Sequence, residues 1–217
     1  MSLDTDEAEH SMEMHLPYIY HILEGQFGKD VSKFPGLIPI LVGNTSEKVE
    51  REFGKLLAPY FADEESIVIV SSDFCHWGLR FGYTYYLPHA TATSGGKANT
   101  TADGYSLSKT SKAPKSQNEE QEIHQSIGVL DRAAMDAVEA GAHEGFWKEL
   151  KRSGNTVCGR HPIGVVLAAM EVLRANEAGQ DGGDQKGKFR FVRYERSSDA
   201  KTVKDSSVSY ASAFAVL

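Results

Sequence analysis

A run of four aliphatic residues, Ile67 to Val70, constrains the fold most strongly, because the polar sequence SSDFCHWG follows it at once. A short, wholly aliphatic run is typical of a strand that is buried on both faces, and such a strand needs helices above and below it. An acid, a thiol and an imidazole then follow between Asp73 and His76. Ligand sites in α/β sheets gather at the carboxyl ends of strands. The stretch therefore predicts a buried strand with a candidate site at its end.

Helix-like and strand-like segments alternate along the rest of the chain. A first helical segment ends near Gly28, and LIPILVG (residues 37–43) has the length of a strand, although Pro39 favours an edge strand or a bulge. A second helix is predicted to begin after Thr45 or Ser46, and its buried face is predicted to hold Val49, Phe53, Leu56, Leu57 and Tyr60. Three more helical segments and two closing strand-like segments follow. This order predicts an α/β fold in which a central mixed sheet is flanked by helices.

The size and composition of the chain suit a single domain over residues 1–217, since 41% of the residues are hydrophobic and 24% are charged. Residues 88–117 differ from the rest, because Ser, Thr, Gly, Ala and Lys dominate and large aliphatic residues are almost missing. Such a segment cannot bury enough surface to offset its ordering entropy. We therefore predict a disordered surface insertion there.

Charge and hydropathy exclude several classes of function. The formal net charge of −7 argues against nucleic-acid binding through a basic face. No apolar stretch is long enough to span a bilayer, and the acidic N-terminal sequence lacks the apolar core of a secretory signal. We therefore expect a cytoplasmic protein, with the nucleus as a second compartment, in which Cys75 and Cys158 are reduced thiols.

The first candidate site comprises Asp73, Cys75 and His76. His76 is suited to proton transfer near neutral pH, and Asp73 could orient an imidazole or a water molecule. The alternative is structural: an Asp that caps a turn, an inert buried Cys and a structural His. Successive residues of an extended backbone point to opposite sides, so Cys75 is expected in the core rather than in a joint site with His76.

The second candidate is Cys158 in the sequence NTVCGRHPIG, directly before a predicted helix. The helix dipole and the neighbouring Arg160 and His161 favour a thiolate, which is a nucleophile or a soft metal ligand. The alternative is a small hydrophobic residue at a helix entry. Cys158 and His161 make up only half of a zinc site, and no CxxC pair completes it.

The third candidate is the N-terminal sequence EHSMEMH. His10 and His15 lie five residues apart, about 140° around a helix axis, so they would not converge on one ligand. His10 and Glu13 are the better pair, at a spacing of three residues. The alternative is a solvated helix entry.

The sequences EHSMEMHLPY, IPILVG, EFGKL, VSSDFCHWG, YTYY, NTVCGRHPIGV and DSSVSYA together resemble the Memo family, over nearly the whole chain outside the insertion. The resemblance implies a fold like that of the class III extradiol dioxygenases. It also implies copper- or iron-linked redox activity and a role in cell motility and signalling to the cytoskeleton. It implies no settled reaction, so whether the chain is an enzyme stays open.

The resemblance also implies roles for individual residues. Cys158 matches a metal ligand, His76 the catalytic base and Asp73 a residue of the same pocket, which His10 and Glu13 also line. The chain begins in what resembles an interior part of the family, so the N-terminal third, with both metal-binding histidines, is expected to be missing. With one ligand left, we expect weak or no binding of copper or iron.

Two functions are therefore open. The first is metal-linked redox activity with motility signalling. The second is a non-catalytic adaptor that binds phosphotyrosine peptides or signalling proteins, with Arg80, Arg160 and His161 as anion contacts.

Overall fold

The computed structural model describes residues 3, 9–89, 91–92, 98–99, 104–112, 121–177 and 187–216. The chain divides into two compact units, Met1–Asn44 and Thr45–Leu217, and each is described by itself. Within the described ranges, no helix combines the length and the apolar character needed to cross a membrane.

The first unit is built around one helix, α1 (Leu16–Phe27). Proline stands in its first turn, where the missing N–H costs nothing, and Gly28 ends it at a φ of 75°. The end at Gly28 agrees with the sequence prediction. The predicted strand over residues 37–43 is not formed, and this segment has no ladder partner among the described residues. Its side chains at Leu37, Ile38, Ile40 and Leu41 are exposed.

The second unit contains four described helices, all of which the apolar periodicity predicts: α2 (Glu47–Phe61), α3 (Ile123–Glu139), α4 (His143–Ser153) and α5 (Arg160–Glu177). Ser46 caps α2 by accepting a hydrogen bond from the backbone N–H of Val49. Helix α2 packs along α5, and α4 contacts both α3 and α5. The main core forms between α3, α4 and α5 and includes Ala134, Met135, Phe146, Leu150 and Leu167.

Helix α2 is rotated relative to the prediction. Its buried residues are Glu50, Gly54, Ala58 and Phe61, whereas the predicted inward residues Phe53, Leu56 and Tyr60 are exposed. The reason is the close approach of α5: a Cβ atom built on Gly54 would lie 2.6 Å from the Cβ of Ala168. Small residues therefore occupy the contact face, and the large apolar residues are displaced to the outside.

The described strands are short and pair antiparallel. A three-stranded sheet has the order β1 (His76–Trp77), β7 (Ser207–Phe214) and β6 (Arg190–Arg196). Two-stranded pairs join β2 (Tyr85–Tyr86) to β5 (Tyr105–Ser106) and β3 (Thr91–Ala92) to β4 (Ala98–Asn99). The fold is thus a mixture of helices and small antiparallel sheets, and no mixed sheet is found among the described residues.

The predicted buried strand at Ile67–Val70 is wrong in the described structure. These residues make no ladder with any described strand, and Ile67 is 89% exposed. Aliphatic composition alone cannot make a strand without a neighbour to pair with, and regular pairing begins only at His76.

The predicted insertion at 88–117 is described only in part. Tyr105 and Ser106 pair with Tyr86 and Tyr85, and Leu107 is buried. Residues 90, 93–97, 100–103 and 113–117 of the predicted insertion lie outside the described residues.

Candidate functional site

Two loops that the sequence singles out lie side by side. The backbone N–H of Cys158 donates to the carbonyl oxygen of Asp73 at 3.0 Å, and that of His76 donates to Oγ1 of Thr156 at 2.7 Å. Gly159 makes this contact possible, because a Cβ atom there would lie 2.4 Å from the carbonyl oxygen of Ser71. The structure therefore brings the SSDFCHWG and NTVCGRHPIG sequences together at one place.

The imidazole of His76 has a defined tautomer. Its Nδ1 lies 3.0 Å from the carbonyl oxygen of Phe74 and 3.2 Å from that of Thr156. Carbonyl oxygens only accept hydrogen bonds, so Nδ1 carries the proton and donates it. Nε2 then keeps its lone pair and lies 3.6 Å from Oδ2 of Asp73. This geometry leaves Nε2 able to take up a proton beside a carboxylate.

The imidazole is also held from its other side. The ring of Phe81 contacts it edge-on, with 5.3 Å between the ring centroids. The side chain of His76 is 24% exposed and that of Asp73 is 41% exposed. The pair is therefore fixed in position and still reachable from solvent, as an acid–base site requires.

The two cysteines have different surroundings. Cys75 is a buried free thiol, and its pKa is raised well above the ordinary value by burial first and by the nearby Asp131 carboxyl second. The prediction that Cys75 is a core residue is confirmed. Cys158 is exposed and stands two residues before the start of α5. Of the two sulfur atoms, that of Cys158 is the one accessible for chemistry.

His161 lies in a buried polar cluster rather than at the surface. Its Nδ1 donates to Oε1 of Glu50 at 2.7 Å, while Oε2 of Glu50 accepts from Nε2 of His143 at 2.7 Å and from Nε1 of Trp147 at 2.6 Å. Burial raises the pKa of Glu50, but the donated hydrogen bonds outweigh it and the net pKa is lowered. His161 is thus engaged inside the fold, which differs from its predicted place as an anion contact.

The remaining predicted contacts lie apart from this cluster. Arg160 is half-buried at the first position of α5. The guanidinium of Arg80 is 4.5 Å from the ring centroid of Phe81, the residue that also touches His76. His10 and Glu13 are exposed residues of the first unit, and their place in the pocket stays a prediction.

The described residues do not by themselves fit a copper or iron ion. Among them, no group of three or more His, Cys, Asp or Glu side chains is arranged to hold a metal. A stable metal site needs its full set of ligands in reach of one point. Asp73, His76 and Cys158 therefore offer acid–base and thiol chemistry, and not a complete metal site.

Sequence reasoning missed three sets of supporting residues. Thr156 contacts His76 through both its hydroxyl and its carbonyl oxygen, and Asp131 contacts both loops. Glu50 with His143 and Trp147 was also missed. A signal for Asp131 and Glu50 exists in the pattern: each is an acid beside the apolar stripe of an otherwise regular helix, a place that requires buried donors.

The comparisons with known proteins find the same family that the sequence motifs resemble. A family model described as "Memo-like protein" matches residues 1–214. The chain is 41% identical over 211 residues to "Protein MEMO1" of Mus musculus and of Homo sapiens, which covers 97% of this chain. It is 36% identical over 217 residues to a MEMO1 family protein of Schizosaccharomyces pombe, of which it covers 62%. The chain spans 57% of the length of the two mammalian relatives.

Proposed function

The chain belongs to the Memo family, and from this premise we propose that it acts in metal-linked redox chemistry and in signalling to the cytoskeleton, on a fold related to the class III extradiol dioxygenases. The observation that supports a chemical role is the fixed tautomer of His76, whose Nε2 lone pair lies beside Asp73. An imidazole held in this way is ready to act as a base without reorientation.

The roles follow from the donors and acceptors. His76 takes up a proton at Nε2 while Nδ1 goes on donating to the two carbonyl oxygens. The carboxylate of Asp73 then faces a positive imidazolium and stabilises it. Cys158 supplies an accessible sulfur at the start of α5. General acid–base catalysis of this kind contributes roughly 10²–10⁴ in rate.

Cys158 is the residue that this chain would offer to copper or iron, since a thiolate is a soft ligand. The other ligands would have to come from outside the described residues. The experiment is the copper and iron content of the purified protein and of Cys158→Ser, measured by mass spectrometry. We expect the metal content to fall in the variant, and equal content in both would reject Cys158 as a ligand.

The base role has its own test. Oxygen consumption of the protein supplied with copper or iron, and with ascorbate as the electron donor, is compared with that of His76→Gln, which removes the Nε2 base. We expect the rate to fall by about 10² or more while the metal content is unchanged. An unchanged rate in His76→Gln would contradict the proposal.

A second candidate function is an adaptor that binds phosphotyrosine peptides. The observation that favours it is Arg80, whose guanidinium lies over Phe81 next to His76, so that a cation borders the site. Titration with a phosphorylated peptide and its unphosphorylated form, for the protein and for Arg80→Ala, tests it. Equal affinity for both peptides would count against this function.

The cytoplasmic and nuclear localisation stays a prediction, which cell fractionation would check.

A further inference from the structure

Asp131 is a buried acid on α3 that contacts both loops of the candidate site. Its Oδ1 accepts from the backbone N–H of Cys75 at 3.1 Å and from the Nδ2 amide of Asn155 at 3.1 Å. Its Oδ2 accepts from the hydroxyl of Tyr194 at 2.7 Å. The side chain is completely buried, so these donors replace water entirely. One carboxyl group therefore joins the helix to two loops and to β6.

The two residues bound to Oδ1 are next to the residues that hold the imidazole. Cys75 follows Phe74, and Asn155 precedes Thr156; the carbonyl oxygens of Phe74 and Thr156 both lie at Nδ1 of His76. The Oδ1 atom of Asn155 is buried and has no hydrogen-bond partner in the described structure, so its amide is anchored through the Nδ2 contact with Asp131. Each Oδ1 contact thus holds a residue that is adjacent to one of the two carbonyl groups at the imidazole.

We propose that Asp131 is the positioning residue for His76: through Oδ1 it fixes the two loops whose carbonyl oxygens select the Nδ1–H tautomer of the imidazole. The importance of this role for activity rests on the proposed function, whereas the tautomer itself does not. Asp131 acts on the imidazole indirectly, through Cys75 to the carbonyl group of Phe74 and through Asn155 to that of Thr156.

The test reads the tautomer directly, without metal, substrate or peptide. The ¹⁵N chemical shifts of the His76 ring nitrogens are recorded for the full chain, with His76→Gln to assign the signals. Wild type is expected to show a protonated Nδ1 and an unprotonated Nε2. In Asp131→Leu, which removes the acceptor at nearly constant size, the shifts are expected to move towards the Nε2–H form that a solvated imidazole prefers.

A second pair of variants keeps the test decisive if Asp131→Leu does not fold. Asn155→Ala removes one contact to Oδ1, whereas Tyr194→Phe removes the contact to Oδ2 and serves as the matched control. We expect Asn155→Ala to move the His76 shifts and Tyr194→Phe to leave them in place. Equal movement in both variants, or none in Asn155→Ala, overturns the proposal. Because no turnover is measured, a failed redox assay would leave this result unaffected.

Discussion

The buried cluster around Glu50 leads to a sharp prediction for Glu50→Gln. The carboxylate of Glu50 is completely buried and accepts three short hydrogen bonds, from His143, Trp147 and His161, besides a longer one from the Thr45 hydroxyl at 3.4 Å. Gln has nearly the same shape but carries one acceptor oxygen and one donor group. The amide oxygen can serve two of the three donors, and the NH₂ group must then face the third.

The cost can be worked out from these contacts. If the amide oxygen keeps His143 and Trp147, the NH₂ group meets Nδ1–H of His161. His161 can avoid this by moving its proton to Nε2, which is buried and has no partner in the described structure, or by keeping only the long contact of Nδ1 with the Thr45 hydroxyl at 3.4 Å. One unpaired buried donor costs about 1–3 kcal/mol, and exchanging charged for neutral hydrogen bonds costs about 1 kcal/mol for each bond kept. We therefore expect Glu50→Gln to lower the free energy of unfolding by about 3–5 kcal/mol.

Urea denaturation followed by circular dichroism measures this loss. The matched control is Glu52→Gln on the same helix, whose side chain is 62% exposed and 4.0 Å from Lys48. It should change the free energy of unfolding by about 0.5 kcal/mol or less.

The same variant predicts a pH dependence. The pKa of folded Glu50 is lowered, so its stabilising contribution is present above the ordinary pKa of 4.5 and is lost as the pH falls through the lower folded value. The difference between wild type and Glu50→Gln should therefore shrink below about pH 4.5. Equal stability of the two proteins at neutral pH would refute the reasoning.

Four further substitutions can be checked by denaturation and circular dichroism. Gly54→Ala should lower the free energy of unfolding by about 2 kcal/mol, because its Cβ would overlap Ala168. The Cβ of Gly25→Ala in α1 meets no atom within 4 Å, so this control should raise the helix content. Trp147→Phe removes one hydrogen bond to Glu50 and should cost about 2 kcal/mol. Burial raises the pKa of Asp131 above its ordinary value of 3.8. Its contribution to the free energy of unfolding is therefore fully present below pH 3.8 and is lost as the pH rises through the folded pKa. Asp131→Asn should remove this pH dependence.

The helices could be predicted from sequence because their signals are local. Apolar spacing, Ser46 as a cap and Gly28 as a terminator are all within a few residues of what they determine. Pairing of strands is not local, and the aliphatic run at 67–70 has no strand to pair with in the described structure. The orientation of α2 failed for a related reason: the fit of Gly54 against α5 depends on a residue more than a hundred positions away.

The same distinction between local and non-local features decides which parts of the candidate site could be predicted from the sequence. The chemistry-bearing residues Asp73, His76 and Cys158 could be selected by type and position, and their loops do meet. The tautomer of His76 could not be predicted, because it is set by carbonyl oxygens that every residue has. The engagement of His161 with Glu50 required knowing that α2 and α5 cross at that point.

The exposure of the large apolar side chains of α2 has a practical consequence. Phe53, Leu56 and Tyr60 form a ridge along one side of the helix, with exposed fractions of 45%, 63% and 64%. Large apolar ridges of this kind bind hydrophobic dyes and adsorb to chromatography matrices even when the protein is folded. Preparations of this chain should therefore fluoresce with such dyes under native conditions, and charged substitutions along the ridge should reduce the signal while leaving the helix intact.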